Sequence, residues 1–225
     1  MYLILINYAD GEKFQALQAE NHDKFGPYVK RGIAYNSDTL DDRFKFKNRY
    51  ILSQKHGAGN ALWKPYIIQD ALYGAQWGDV VLYMDVTDEV KFPAEFFRTV
   101  RNTMGDNVDQ FLIRNAHRNS DWTKRDCFVK MECDYQNYWW ASQLEAGIVA
   151  FRKTKFNMEL ITEWLAYCQD PEIMTDDPSV HGTDYEGFVQ TRCDQSVLTN
   201  LQVKYGLPTI SIHEILPMIT YNGRG

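Results

Sequence analysis

Val80-Val81-Leu82-Tyr83-Met84 is an unbroken apolar run that starts after Gly78-Asp79 and stops at Asp85. A run of this length with no polar alternation is what a strand covered on both faces looks like. Such strands belong to α/β sheets flanked by helices. Asp85 then stands where the strand leaves the sheet, and open α/β sheets place their ligands at that edge. A lone Asp after a strand is more often a turn residue. Carboxylates at that edge are also hard oxygen ligands, suited to Mg2+ or Mn2+, which in turn can hold a diphosphate.

The rest of the chain fits that frame. Residues 2–7 read as a first strand, 12–25 as a helix with Phe14, Leu17 and Phe25 on one face, and 32–35 as a second strand. Gly57-Ala58-Gly59-Asn60 reads as a flexible loop leading into a helix that contains Pro65 in its first turn. Pro93 opens another helix, residues 108–113 form a strand, and 146–151 form a further one. Phe156, Leu160, Ile161, Trp164, Leu165 and Cys168 mark a helical face. Residues 169–190 read as a long loop, residues 197–205 as a last helix, and Thr209 to Ile212 as a last strand ending in His213. Residues 115–140 show no assignable period and are long enough to form an insertion over a cleft. The expected architecture is a mainly parallel sheet with helices on both faces, in one domain over residues 1–225. Gly223-Arg224-Gly225 looks like the start of a linker, as in the N-terminal part of a longer protein.

Net charge narrows the partners. At −6 the chain lacks the basic surface of a general nucleic-acid binder. No apolar run is long enough for a membrane span, and residues 1–7 lack the basic flank of a signal peptide. Cys127, Cys133, Cys168 and Cys193 form no Cys-x-x-Cys pair and read as buried free thiols of a reducing, cytoplasmic compartment. A dinucleotide fingerprint and a Gly-Lys-Ser/Thr phosphate loop are both missing from the sequence, as are a Gly-x-Ser-x-Gly elbow and a His-x-x-x-His pair.

Several other residues carry chemistry. The Gly57-x-Gly59 loop can turn backbone N–H groups toward an anion, with Lys55 and Lys64 adding charge. Glu145 stands at the mouth of a strand, and Gly147 permits close approach of backbone or ligand. Asp194 reads first as a helix N-cap. His213 is a candidate to complete a metal site begun by Asp85.

In order, Lys55-His56-Gly57-Ala58-Gly59, Trp63-Lys64-Pro65-Tyr66, Gly78-Asp79 through Asp85, Glu145-Ala146-Gly147 and Arg192-x-Asp194-Gln195-Ser196 resemble a GT-A-type glycosyltransferase. The resemblance runs from about Tyr2 to His213. It extends to the small nucleotide-sugar transferase domains of chlorella-virus glycosylation proteins. It implies a GT-A fold, a UDP-sugar donor carrying glucose or rhamnose, a glycan acceptor, Mn2+ or Mg2+, and retaining transfer, in the host cytoplasm for a viral protein. It puts Asp85 at the first position of the family's Asp-x-Asp motif; the second position is Thr87 here, with Asp88 following. An extended segment would turn the Asp88 side chain away from that of Asp85. His213 matches the family's C-terminal metal-binding His. Tyr8 and Asp38 fall where uracil and ribose are held. Asp194 and Gln195 match the pair beside the transferred sugar, and Glu145 is the candidate to orient the acceptor. Lys55, Gly57, Trp63 and Lys64 complete the donor-contacting set. The rival readings are a sugar-nucleotide pyrophosphorylase, a two-carboxylate glycoside hydrolase and a non-catalytic carbohydrate-binding module. The first would carry a Gly-rich basic loop after the first strand, which Asn7-Tyr8-Ala9-Asp10-Gly11 is not.

Overall fold

A computed structural model describes residues 2–105 and 107–220. The strands are β1 (Leu3–Tyr8), β2 (Arg31–Tyr35), β3 (Val80–Met84), β4 (Glu89–Val90), β5 (Gln110–Phe111), β6 (Ile113–Arg118), β7 (Ser142–Leu144), β8 (Ile148–Arg152), β9 (Ile210–Ser211) and β10 (Ile219–Thr220). The helices are α1 (Glu12–Phe25), α2 (Asp42–Lys47), α3 (Arg49–Leu52), α4 (Gly57–Asn60), α5 (Trp63–Tyr73), α6 (Pro93–Thr103), α7 (Arg125–Lys130), α8 (Gln136–Trp139), α9 (Lys155–Cys168), α10 (Pro171–Met174), α11 (Asp194–Tyr205) and α12 (Ile212–Ile215).

The main sheet has the order β2-β1-β3-β8-β5. β1 runs parallel to β2 and β3, whereas β8 is antiparallel to both β3 and β5. The expected mixed, mainly parallel α/β sheet is therefore present. Side chains alternate between two cores, as the period of two in a strand requires. Ile4, Ile6, Val81, Tyr83, Val149 and Phe151 meet Ile67, Ile68, Leu160, Trp164 and Leu198 of α5, α9 and α11. Leu3, Leu5, Val80, Leu82, Met84, Ile148 and Ala150 meet Phe25, Phe96, Phe97 and Val100 of α1 and α6. Covering both faces is what leaves β3 without a charged side chain until Asp85.

Five segments differ from expectation. The stretch 108–113 is not one strand: β5 belongs to the main sheet, and β6 leaves it to pair with β7 and β9. The strand expected last, at Thr209 to Ile212, is the two-residue β9, and β10 follows it. Ser211 accepts a bond from the His213 N–H at 3.3 Å, and Glu214 Oε1 accepts from the Ser211 N–H at 2.9 Å. This capping box starts α12 just where the strand was expected to continue. Residues 57–61 form a left-handed turn with φ between 51° and 93° rather than an open loop. Within 115–140 and 169–190 the chain forms α7, α8 and α10. The 223–225 segment read as a linker lies outside the described residues.

Candidate active site

The antiparallel direction of β8 decides where the chemistry collects. In a parallel strand, Glu145 and Gly147 would enter the sheet at the edge opposite Asp85. Because β8 runs against β3, with Met84 opposite Ile148, its entry lies beside the exit of β3. The Asp85 N–H donates to Gly147 O at 2.8 Å, and the Glu145 N–H donates to Ile113 O at 2.7 Å. A cleft of about 210 Å³ opens at this edge. Gly57, Lys64, Asp85, Asp88, Glu145, Asp194 and Gln195 all line it.

Two carboxylates converge there. Val86 and Thr87 form a turn, closed by the Asp88 N–H on Asp85 O at 3.2 Å, so the chain doubles back. A Cβ built on Gly147 would sit 2.9 Å from Asp88 Oδ2 and 3.2 Å from Asp85 Oδ2. Asp88 thus faces the same space as Asp85, against the expectation from an extended chain. Glycine is the residue that leaves room for both carboxylates. Tyr83 reaches along the strand to donate its hydroxyl to Asp85 Oδ1.

Lys64 forms the opposite wall. Its side chain is 1% exposed and its ammonium lies 3.0 Å from Asp194 Oδ2. It also donates to Ala146 O at 3.1 Å and stands 5.0 Å from the Tyr83 ring centroid. A buried ammonium is tolerated only with such partners. Asp194 opens α11 and its carbonyl accepts from Trp164 Nε1 at 2.9 Å. Gln195 spends both ends of its amide: Oε1 accepts from the Ala146 N–H at 3.1 Å, and Nε2 donates to Gln143 Oε1 at 2.9 Å. Its visible work is to hold the Ala146–Gly147 backbone beside Asp85. Burial raises the Glu145 carboxyl above its ordinary pKa, opposed by a 3.4 Å bond from Asn115 and reinforced by the charge of Asp85.

Other expected site residues lie outside the cleft lining. Tyr8 stacks on Trp63 with centroids 4.1 Å apart, and its hydroxyl donates to Asp10. Burial, the hydrogen bond to Asp10 and the charges of Asp10 and Asp38 push the Tyr8 phenol up. Asp38 and Lys55 are exposed. His213 is exposed on α12 and is not among the residues that line the cleft. Among the described residues, no group of three or more His, Cys, Asp or Glu is arranged to hold a metal ion. The donor set is two carboxylates, which suits a hard cation that takes its remaining ligands from water and phosphate.

Sequence reasoning passed over Asn115, His117 and Trp122, which line the cleft from the unassigned 115–140 stretch. Arg192 stacks on Trp122 at 4.3 Å, and the His117 ring meets Trp122 edge-on at 5.2 Å. The only signal for them was the length of that stretch.

No family model matches the chain, and no curated protein sequence does. Several solved structures are similar in shape. One is a glycosyltransferase involved in glycosylation of the major capsid of PBCV-1, with 11% identity and TM-score 0.44; the match covers 74% of this chain, which spans 66% of the length of that one. Mouse xyloside xylosyltransferase 1 matches with 8% identity and TM-score 0.47, covering 93% of this chain and 84% of that one. The galactosyltransferase LgtC, in complex with donor and acceptor sugar analogs, matches with 14% identity and TM-score 0.44, covering 88% of this chain and 70% of that one.

Proposed function

We propose that this protein is a metal-dependent glycosyltransferase that moves a hexose or deoxyhexose, glucose or rhamnose, from a UDP-sugar to a glycan acceptor with retention of configuration. The observation that carries the reading is the convergence of Asp85 and Asp88 over Gly147, across one cleft from the buried Lys64–Asp194 pair. Two carboxylates close together in a buried place favour a divalent cation between them.

Asp85 and Asp88 would hold Mn2+ or Mg2+, which when bound supplies positive charge against the diphosphate. Lys64 adds a fixed ammonium to the same cleft, and Asp194 holds it in place. Tyr8, Trp63 and Asp38, outside the cleft lining, would hold uracil and ribose. Asp194 faces the transferred sugar, and Gln195 positions the backbone behind it. In retaining transfer the C1–oxygen bond to UDP breaks and the C1–oxygen bond to the acceptor forms on the same face. The acceptor hydroxyl proton passes to the departing phosphate oxygen. No strong base is required, and Glu145, beside Asn115, orients the acceptor hydroxyl. Free, buried Cys127, Cys133, Cys168 and Cys193 support a reducing cytoplasmic setting. Among the described residues no helix is long and apolar enough to cross a membrane.

Calorimetry tests the reading directly. UDP with Mn2+ is expected to release heat on binding, and UDP alone to bind at least tenfold more weakly. Absence of binding in both titrations sinks the proposal. With turnover in hand, the anomeric configuration of the product by NMR checks retention; an inverted product would make Glu145 or Asp194 the candidate general base.

A further inference from the structure

Asn60 is 1% exposed and lines the cleft together with Lys64 and Asp194. Neither its Nδ2 nor its Oδ1 finds a hydrogen-bond partner among the described residues. The other buried amides nearby are all satisfied. Asn119 donates to Tyr138 O at 2.9 Å and to Asn200 Oδ1 at 2.8 Å, and Gln143 donates to Asn119 Oδ1 at 2.8 Å. An orphaned buried amide destabilises a fold and calls for an explanation at its own site.

The backbone that carries Asn60 is also set with care. Gly57, Ala58, Gly59, Asn60 and Ala61 all have positive φ. The turn is held by the Asn60 N–H on His56 O at 2.7 Å and the Ala61 N–H on Gly57 O at 3.1 Å. A Cβ on Gly59 would lie 2.8 Å from Leu52 Cα, so the turn is pressed against α3. Asn tolerates this conformation better than most residues. Its side-chain direction is therefore fixed by the turn rather than by partners of its own.

We infer that Asn60 reads the hydroxyls of the donor's sugar ring and so sets which sugar the enzyme accepts. The inference rests on the glycosyltransferase reading. An amide offers donor and acceptor together. A diphosphate only accepts, and a cation would use Oδ1 alone, so each leaves half of the amide unmet. A sugar hydroxyl both donates and accepts, and a neighbouring pair of hydroxyls satisfies both atoms at once. The imide edge of uracil has the same complementarity. Asn60, however, shares the cleft with Asp194 and Lys64, whereas Tyr8 and Asp38 lie outside its lining.

Two variants of the full chain test this with Mn2+ present. Asn60→Gly removes the amide and keeps positive φ easy; Asn60→Asp keeps an acceptor and removes the donor. Titrations use UDP, UDP-glucose and its epimer UDP-galactose. Both variants are expected to bind UDP within twofold of the natural protein and the tighter of the two UDP-sugars at least tenfold more weakly, with the ratio between the sugars compressed. The unliganded Asn60→Gly protein should melt no lower than the natural one, because an unsatisfied amide has gone. Equal losses for UDP and the UDP-sugars would move the contact to uridine or diphosphate and overturn the inference. Unchanged UDP-sugar binding, or a lower melting point in both variants, would do so too. If the natural protein binds neither UDP nor a UDP-sugar, the transferase reading itself fails and takes this one with it.

Discussion

β3 and the Gly57–Ala61 turn border the same edge of the sheet and follow opposite rules. In β3 all five residues are buried, and each meets a partner strand in register. Local preference, pattern and packing agree there, which is the condition for a rigid floor. The turn carries left-handed Ala58 and Ala61, each at a cost of about 1–2 kcal/mol, and the facing wall has Cys193 at φ 49°. Charge follows the same division, with Lys64, Asp85, Asp88 and Asp194 all buried at the edge and none within β3 itself. Strain and buried charge survive only where the surroundings fix them, and they gather where ligands bind. The floor supplies stiffness, and the walls hold the chemistry.

The largest effect should come from breaking the wall's ion pair. Lys64→Met removes the ammonium that Asp194 faces at 3.0 Å. Loss of one partner of a buried pair costs about 3–5 kcal/mol. Urea unfolding should register that loss, and adding Asp194→Asn should restore a good part of it. A double variant as unstable as Lys64→Met alone would mean that the methionine, and not the stranded carboxylate, does the damage.

Next come two changes at the floor's last residues that separate function from fold. Asp85→Asn is expected to lower UDP-sugar turnover on the order of 10²-fold, with the melting point held or raised. Gly147→Ala leaves both carboxylates intact but pushes a methyl to within 2.9 Å of Asp88 Oδ2. The side chain can swing aside, so stability should move by about 1 kcal/mol or less, while turnover falls roughly tenfold from the displaced ligand. Turnover unchanged in both variants would remove the convergence of Asp85 and Asp88 from the mechanism.

The same division explains what could be read from the chain beforehand. β1, β3, α6 and α9 announce themselves by apolar runs or period, because their burial is one-sided or complete; α1 spans 12–25 as read, yet Phe14 is exposed there and Gln18 and Phe25 are the residues it buries. Asp85 was legible as the end of such a run. Asp88 was not, because its direction depends on the turn at Val86–Thr87, which has no glycine or proline to mark it. Ala58 and Ala61 carry no sign of left-handed φ; only Gly57 and Gly59 hint at the turn. Glu145 could be placed at a strand mouth, yet its edge of the sheet depended on the direction of β8, which its own residues do not encode. His213 was expected at the end of a strand, and the Ser211–Glu214 capping box ends β9 first, which puts His213 on α12.

The smallest effect probes the wall through acid. Burial and the Asp85 charge raise the Glu145 carboxyl above the ordinary glutamate value of 4.5, so the folded chain holds that proton more tightly than the unfolded chain. The linked stabilisation is therefore complete below pH 4.5 and is lost as pH rises through the raised folded value. Glu145→Gln cannot ionise and lacks this dependence. With a chelator present, the stability of the natural protein relative to Glu145→Gln should fall across that window and run flat on either side. Urea midpoints for both proteins at stepped pH would show it. Parallel curves through the window would mean that water reaches Glu145 freely, and that this corner of the cleft is no drier than the surface.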